Sequence, residues 1–344
     1  MPAPVTVGVD IGGTKVLAGV VDDDGTVVRT ARRTTPGRRV RVREVEDALV
    51  EAVLEAAGDD ELGAVGIAAA GFVDSAGERV MFAPHLPWQG EPLRDLLEAR
   101  LGCPVVLDND ANCAARAEAH HGAAQGAASA LMITMGTGIG GALLLGGRVL
   151  RGANGMAGEF GHIQVVPDGH RCECGNRGCW EQYASGNALV RDASELVRAG
   201  SPLAHRLDEM VGGDVRALTG PLVTQAAREG DPLAIQLIGE IGAWLGVGLA
   251  GMAAAFDPSC IIVGGGVSEA GELLLAPARA EFSRTLTGRG HRLEPPIVAA
   301  ELGPDAGFIG AADMARSAAR RARRMKRRRR ERPLRRRRSA LPEA

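Results

Sequence analysis

V-T-V-G-V-D-I-G-G-T-K-V-L-A-G-V-V, residues 5–21, decides the fold. Residues 5–10 make a short apolar strand that runs into the glycine turn I-G-G-T-K, and residues 16–21 read as its hairpin partner. Asp22-Asp23-Asp24-Gly25 signals a second turn, and residues 26–34 a third strand. Polar residues 35–43 read as a mobile loop. Helical spacing over 44–57 (Val45, Leu49, Val53, Ala56), a buried strand over 65–69, a helix over 91–101, a strand over 105–107 and a helix over 111–121 follow. The plan then restarts: strand 130–135, turn G-T-G-I-G-G, strand 142–145, turn Gly146-Gly147 and strand 148–150. Helices over about 187–199, 222–229 and 231–255, strands over 260–263 and 297–300, and a closing helix over 307–319 complete it. This is a duplicated α/β plan, with a hinge expected near 115–130 and a cleft between two similar lobes. The expected domains are an N-terminal lobe (1–120), a C-terminal lobe (121–315) and a basic, disordered tail (316–344).

The bulk composition of the 344 residues, 45% hydrophobic and 24% charged, is that of a globular protein. One tyrosine and three tryptophans leave little for extended stacking on nucleic-acid bases. No basic, then apolar leader opens the chain. The longest uncharged apolar run, 241–256, is shorter than the roughly 20 residues of a bilayer span. Its glycines (242, 246, 248, 251) suggest a closely packed core helix. A cytoplasmic protein with reduced cysteines and no membrane partner is expected. The net charge of −2 conceals an asymmetry: residues 316–344 hold 15 Arg or Lys and two acids, whereas residues 1–315 carry a net −15.

Gly12 and Gly13 stand where the chain doubles back, so backbone N–H groups can approach phosphate oxygens, with Thr14 and Lys15 as further donors. Asp10, at the strand end, suits a carboxylate serving Mg²⁺ through water. The turn at 134–141 repeats the device with Thr137 and Gly138. Gly264-Gly265-Gly266, after a strand, can admit a nucleotide base or ribose. Neither a P-loop nor a dinucleotide fingerprint is present, since no G-x4-G-K-[ST] occurs and the turns lead into strands.

The stretch E-F-G-H-I-Q-V-V-P-D-G-H-R-C-E-C-G-N-R-G-C-W-E, 159–181, reads as an insertion. Cys172, Cys174 and Cys179 with one histidine make a tetrahedral zinc set. His170 is nearer in sequence, while His162 sits in an E-x-G-H unit that also carries Glu159; Glu181 brackets the other end. A disulfide between Cys172 and Cys174 is disfavoured by their closeness. L-D-N-D-A-N, 107–112, sets an amide and a carboxylate at a strand end and helix start. Alone, helix capping by Asn109 or Asp110, worth about 1 kcal/mol, explains it. Beside two phosphate turns, a carboxylate there can take the proton of a hydroxyl attacking a γ-phosphate. Asp108 is the weaker candidate, because strand alternation points it away from Asn109.

D-I-G-G-T-K, L-D-N-D-A-N, I-T-M-G-T-G-I-G-G, A-G-E-F-G-H and C-E-C-G-N-R-G-C-W-E occur in an order that resembles the ROK family (repressor, open reading frame, kinase) over about residues 5–315. F-A-P-H-L-P-W and W-E-Q-Y-A-S-G resemble its actinobacterial-type glucokinases. The resemblance implies the actin/hexokinase-like ATPase fold with a zinc loop insertion, ATP and Mg²⁺ as cofactors, and phosphorylation of glucose at the 6-hydroxyl. It implies Asp110 as the catalytic base and Gly71, Asn109, Asp110, Glu159, His162 and Glu181 as the hexose-binding set. His162, Cys172, Cys174 and Cys179 would hold a structural Zn²⁺, with one imidazole nitrogen on the metal and the other on the sugar. A homodimer or tetramer is also implied. The chain departs from the family pattern at His85, where asparagine is expected, at Asp108, where glutamate is common, and in its basic tail.

Other readings are a ROK kinase for N-acetylmannosamine, fructose or allose, polyphosphate in place of ATP as donor, and a non-catalytic sugar-sensing regulator. The tail reads either as a solvated appendage folding back on the acidic body or as an attachment to an anionic partner such as RNA, DNA or polyphosphate. It has no aromatic residue, so such attachment would be independent of base sequence.

Overall fold

The computed structural model describes residues 3–338, with side chains described as far as Met325. The chain forms two compact units, Met1–Ala117 together with Asp305–Ala344, and Glu118–Pro304.

In the first unit, β1 (Val5–Ile11), β2 (Lys15–Val21) and β3 (Val27–Thr34) form an antiparallel meander. Helix α1 (Val42–Ala57) leads to β4 (Leu62–Ala69), which lies parallel to β1. A small hairpin, β5 (Phe72–Val73) with β6 (Val80–Phe82), and helix α2 (Leu93–Leu101) precede β7 (Val105–Asn109), parallel to β4; α3 (Asp110–His121) starts at once. The sheet order is β3-β2-β1-β4-β7. Strand alternation divides its two faces. Val7, Val9 and Ile11 join Val45, Leu49 and Val53 of α1 in one buried cluster.

The second unit repeats the scheme. β8 (Ser129–Met135), β9 (Ile139–Leu145) and β10 (Arg148–Val149) are antiparallel. The chain continues through the 159–181 loop, α4 (Gly186–Arg198), α5 (His205–Met210), α6 (Gly220–Arg228) and α7 (Pro232–Phe256) to β11 (Cys260–Gly264). Helix α8 (Glu272–Thr285) and β12 (Ile297–Ala299) follow, and the sheet order is β10-β9-β8-β11-β12. In both main sheets the first three strands form a meander, and the fourth and fifth run parallel to the first. The duplicated α/β plan expected from the paired glycine turns is therefore present, in agreement with the actin/hexokinase-like fold that the family resemblance implies.

Helix α7 is long and apolar enough to cross a membrane by length and composition, yet it is the central helix of this unit's core. Ile241, Leu245 and Leu249 pack in the cluster of Leu131, Ile133 and Met135. A Cβ on Gly242 would lie 2.4 Å from the Leu274 carbonyl oxygen, and one on Gly246 2.4 Å from that of Ala278. Those two glycines, one turn apart, bring the backbone of α8 against α7. The helical stretch expected after Gly264-Gly265-Gly266 is α8, which carries Pro277 inside it.

The last helix, α9 (Ala306–Arg338), returns to the first unit. Gly19 of β2, Gly8 of β1 and Gly66 of β4 stand in one row across three paired strands. A Cβ on Gly8 would lie 1.8 Å from the Phe308 carbonyl oxygen, one on Gly66 1.9 Å from that of Ala311, and one on Gly19 2.5 Å from the Phe308 ring. The row is a trough without side chains, and the helix backbone lies in it.

This corrects the expected boundaries. Residues 305–315 belong to the first unit, not the second. Arg316 is no tail residue: it is buried, donates 2.7 Å to the Val21 carbonyl oxygen and pairs with Asp23 at 3.1 Å. Arg320 also reaches Asp23 at 2.7 Å. The helix continues to Arg338; residues 339–344 of the expected disordered tail lie outside the described residues.

The trough predicts an asymmetric response to added methyl groups. Gly66→Ala is expected to lower the denaturant midpoint by an amount worth about 1–3 kcal/mol, whereas Gly251→Ala, in open space on α7, is expected to be neutral or stabilising by up to about 1 kcal/mol. Equal midpoints for Gly66→Ala and the parent would contradict the contact.

Candidate functional site

In the first unit the phosphate-turn residues sit between β1 and β2. The Gly12 N–H donates 3.0 Å to the Lys15 carbonyl oxygen. Thr35 braces the turn: its hydroxyl donates 2.8 Å to the Gly12 carbonyl oxygen, and its N–H 3.1 Å to that of Thr14. Thr35 is buried, and it was read from sequence as part of a mobile loop. Nothing in a lone threonine of a polar run signals such a brace. His85, the residue that departs from the family pattern, lies across the same turn, since a Cβ on Gly13 would be 2.6 Å from the His85 Cβ.

Asp10 and Asn109 end strands that flank β4: Asp10 is in register with Ala68, and Asn109 with Ala69. Asp110 opens α3. Burial, then the neighbouring Asp110 charge, push the Asp10 carboxyl up to about 7 against the pull of Lys15. Burial likewise raises Asp110, against stabilising hydrogen bonds from the Ala111 N–H, its own N–H and Asn109. A raised carboxylate binds a proton more strongly and is a better general base.

Asn109 is fixed at both ends. Its Oδ1 accepts from the Ala111 and Asn112 N–H groups at 2.9 and 3.2 Å, and its Nδ2 donates 3.1 Å to the Gly71 carbonyl oxygen. Gly71 itself has φ +154°, and a Cβ there would lie 2.5 Å from the Phe82 carbonyl oxygen. Asp108 is buried, and its Oδ1 accepts from the Asn109 N–H and Asn112 Nδ2 at 2.9 Å each. It anchors the strand-to-helix junction.

The second unit carries the other group. The Gly136 N–H donates 3.0 Å to the Gly138 carbonyl oxygen in the second turn, beside Thr137. In Gly264-Gly265-Gly266, Gly265 has φ +85°, and a Cβ on it would meet the Met135 backbone at 2.4 Å. The second and third glycine turns are thus neighbours at the end of β8.

The 159–181 loop gathers the metal-ligand types. The ligand atoms of His162, Cys172, Cys174 and Cys179 lie within 4.8 Å of one another and could hold a metal ion. Cys172 Sγ is 3.6 Å from His162 Nδ1, and Cys174 Sγ 3.6 Å from Cys179 Sγ. A tetrahedral zinc–thiolate site needs edges of about 3.8 Å, so the set fits. His170 stands apart: its N–H donates 2.9 Å to the Tyr183 hydroxyl and its ring packs on that tyrosine. All six cysteines are free thiols. Burial pushes the Cys172 thiol up, which a bound cation reverses by favouring the thiolate.

Glu181 joins this cluster to the second glycine turn. Its Oε1 is 3.3 Å from His162 Nδ1 and accepts from Cys172 Sγ at 3.1 Å. Its Oε2 accepts from the Ile139 N–H at 3.4 Å, and a Cβ on Gly138 would fall 2.3 Å from that oxygen. The far imidazole nitrogen of His162, Nε2, is 4.0 Å from Glu159 Oε2. Buried Trp180 secures the loop through its Nε1–H, 2.8 Å from the Trp244 carbonyl oxygen.

The architecture and its sequence have known counterparts. A family model described as the ROK family matches residues 6–318. The glucokinase of Streptomyces coelicolor is 46% identical over 312 residues, covering 91% of this chain and 98% of that protein. A crystal structure of a ROK family glucokinase from Streptomyces griseus in complex with glucose and AMPPNP matches with a TM-score of 0.83 at 48% identity, covering 91% of this chain and 99% of that one. The ROK hexokinase structure from Thermus thermophilus matches with a TM-score of 0.73 at 36% identity, over 92% and 99% of the two chains. Motif order, the repeated sheet and a match over nearly all of the folded body agree, and the chain belongs to the ROK family.

Proposed function

We propose that this protein is an ATP-dependent glucokinase that phosphorylates glucose at the 6-hydroxyl. The observation that carries the reading is the pair of glycine-turn sheets, with Asp110 raised by burial beside the first turn and a fixed Asn109 next to it. The kinship with the glucokinases described above supports glucose and ATP as the substrates.

Asn109, Glu159, His162 and Glu181 hold the sugar hydroxyls, with Gly71 lining the pocket. The amides of Gly12, Gly13 and Thr14, with Lys15, take phosphate oxygens of one end of the nucleotide. Thr137 and Gly138 serve the second turn, and Gly264, Gly265 and Gly266 admit the nucleoside. Asp110 accepts the proton of the 6-hydroxyl as that oxygen bonds to the γ-phosphorus. The bond from the γ-phosphorus to the bridging oxygen breaks, and its electrons leave with ADP. Asp10 would hold Mg²⁺ through water, and the ion would supply charge neutralisation at the phosphates. His162, Cys172, Cys174 and Cys179 would hold a structural Zn²⁺, and Nε2 of His162, the nitrogen beside Glu159, would remain for the sugar. We place the enzyme in the cytoplasm as a homo-oligomer, dimer or tetramer. The basic end of α9 takes an anionic partner.

Asp110→Asn is expected to lower kcat for glucose phosphorylation about 10²–10⁴-fold, with glucose affinity within a few-fold of the parent by calorimetry. Turnover at the parent rate would assign the base elsewhere. Elemental analysis is expected to find about one zinc per chain, and stripping it with a strong chelator should raise the glucose KM at least about tenfold, restored by Zn²⁺. An unchanged KM in the metal-free protein would make the loop irrelevant to sugar binding.

A further inference from the structure

Helix α9 has two parts with different environments. Its first part is docked: Arg316 on Val21 and Asp23, Ser317 accepting from Arg116 at 2.9 Å, and Arg320 on Asp23. Residues 321–325, next along the helix, are exposed. The family match ends at residue 318. The length beyond Arg320 therefore lies outside the part of the chain that the kinase family shares.

The chemistry of that length is narrow. Residues 321–338 contain thirteen Arg or Lys and one acid, Glu331. At about 1.5 Å per residue they span about 27 Å, one positive charge per roughly 2 Å. Duplex DNA carries one negative charge per about 1.7 Å of axis. The two charge densities are close to matched over about eight base pairs. An α-helix is about 10–12 Å across, and the B-form major groove about 12 Å wide.

Other polyanions fit less well. Ala322, Met325, Pro333 and Leu334 are the uncharged residues of 321–338, and they form no continuous apolar stripe at helical spacing. A helix that lies in a lipid surface needs such a face. A flat surface also meets charges on one side of a helix, whereas a groove meets them on several. No aromatic residue is available to stack on single-stranded bases. The net −15 of residues 1–315 makes the body repel a polyanion, so the extension must supply the attraction.

We infer that residues 321–338 form a sequence-independent binding helix for duplex DNA. This rests on the reading of the basic end of α9 as an anionic-partner surface. The contact is electrostatic: arginines take phosphates, bound counterions are released, and no base is read.

The test compares the full chain, the truncation lacking 321–344, and the quadruple variant R327Q/R328Q/R329Q/R330Q. Each is titrated by fluorescence anisotropy against two duplexes of about 20 bp with unrelated sequences, a single strand, inorganic polyphosphate and phosphatidylserine vesicles. The full chain is expected to bind both duplexes equally, with affinity falling at least about 10³-fold between about 50 and 200 mM salt. The truncation should not bind, and the quadruple variant should lower the log–log salt slope by about 3–4. Glucose phosphorylation should stay within about twofold in all three, which also reports that each is folded. Tighter binding of polyphosphate, single strand or vesicles than of duplex would overturn the DNA inference while leaving a basic surface for an anionic partner, and duplex binding retained by the truncation would overturn both. Binding to none of them would overturn both.

Discussion

A row of three glycines allows the first unit to close. Gly19, Gly8 and Gly66 remove every side chain from one line across β2, β1 and β4, and the backbone of α9 occupies the space. The contact brings Gly307, at the start of α9, next to Asp10, with a Cβ there 3.1 Å from the Asp10 Cγ. It also sets the direction in which the same helix leaves the sheet, past Arg316 and Arg320. One close backbone approach thus ties the Asp10 carboxylate, the last core element and the basic extension together. Packing this tight makes even a methyl group costly.

Two carboxylates of this unit, Asp10 and Asp110, are raised chiefly by burial. With its carboxyl raised from 3.8 to about 7, Asp10 holds its proton in the folded protein where the unfolded chain has lost it. Between those pH values the folded state binds more protons, so this group's contribution to stability falls as pH rises across that window. The Asp110 charge is one of the causes that raise Asp10, after burial. The second unit solves a different problem. Its loop has little apolar content between Gln164 and Arg177, and a metal on three cysteines and His162 would supply the cohesion. Glu181 carries that order to the glycine turn at Gly138.

Much of this was legible before any coordinates. The glycine turns are local, so strand, turn and strand could be read directly, and their recurrence after residue 129 announced the repeated sheet. The metal set was legible as C-x-C-x4-C, although choosing His162 over His170 from the residues alone needed the fold, which turns His170 onto Tyr183. Long-range contacts were not legible. The glycine row exists only once strand register is known, because its members are far apart in sequence. Thr35 braces a turn twenty residues before it, and no local pattern marks it. The density of charge after residue 316 hid the docking of Arg316 beneath an expectation of disorder.

In the glucokinase proposed above, Asp110 and the Glu159, His162 and Glu181 group contact one glucose molecule. The measurement that tests this most directly is a crystal structure of the protein with glucose and a non-hydrolysable ATP analogue. The account predicts a carboxylate oxygen of Asp110 within about 3 Å of the glucose 6-hydroxyl, with His162 Nε2 on another hydroxyl of the same sugar. A bound glucose whose 6-hydroxyl faces a different base, or that touches neither Asp110 nor His162, would contradict it.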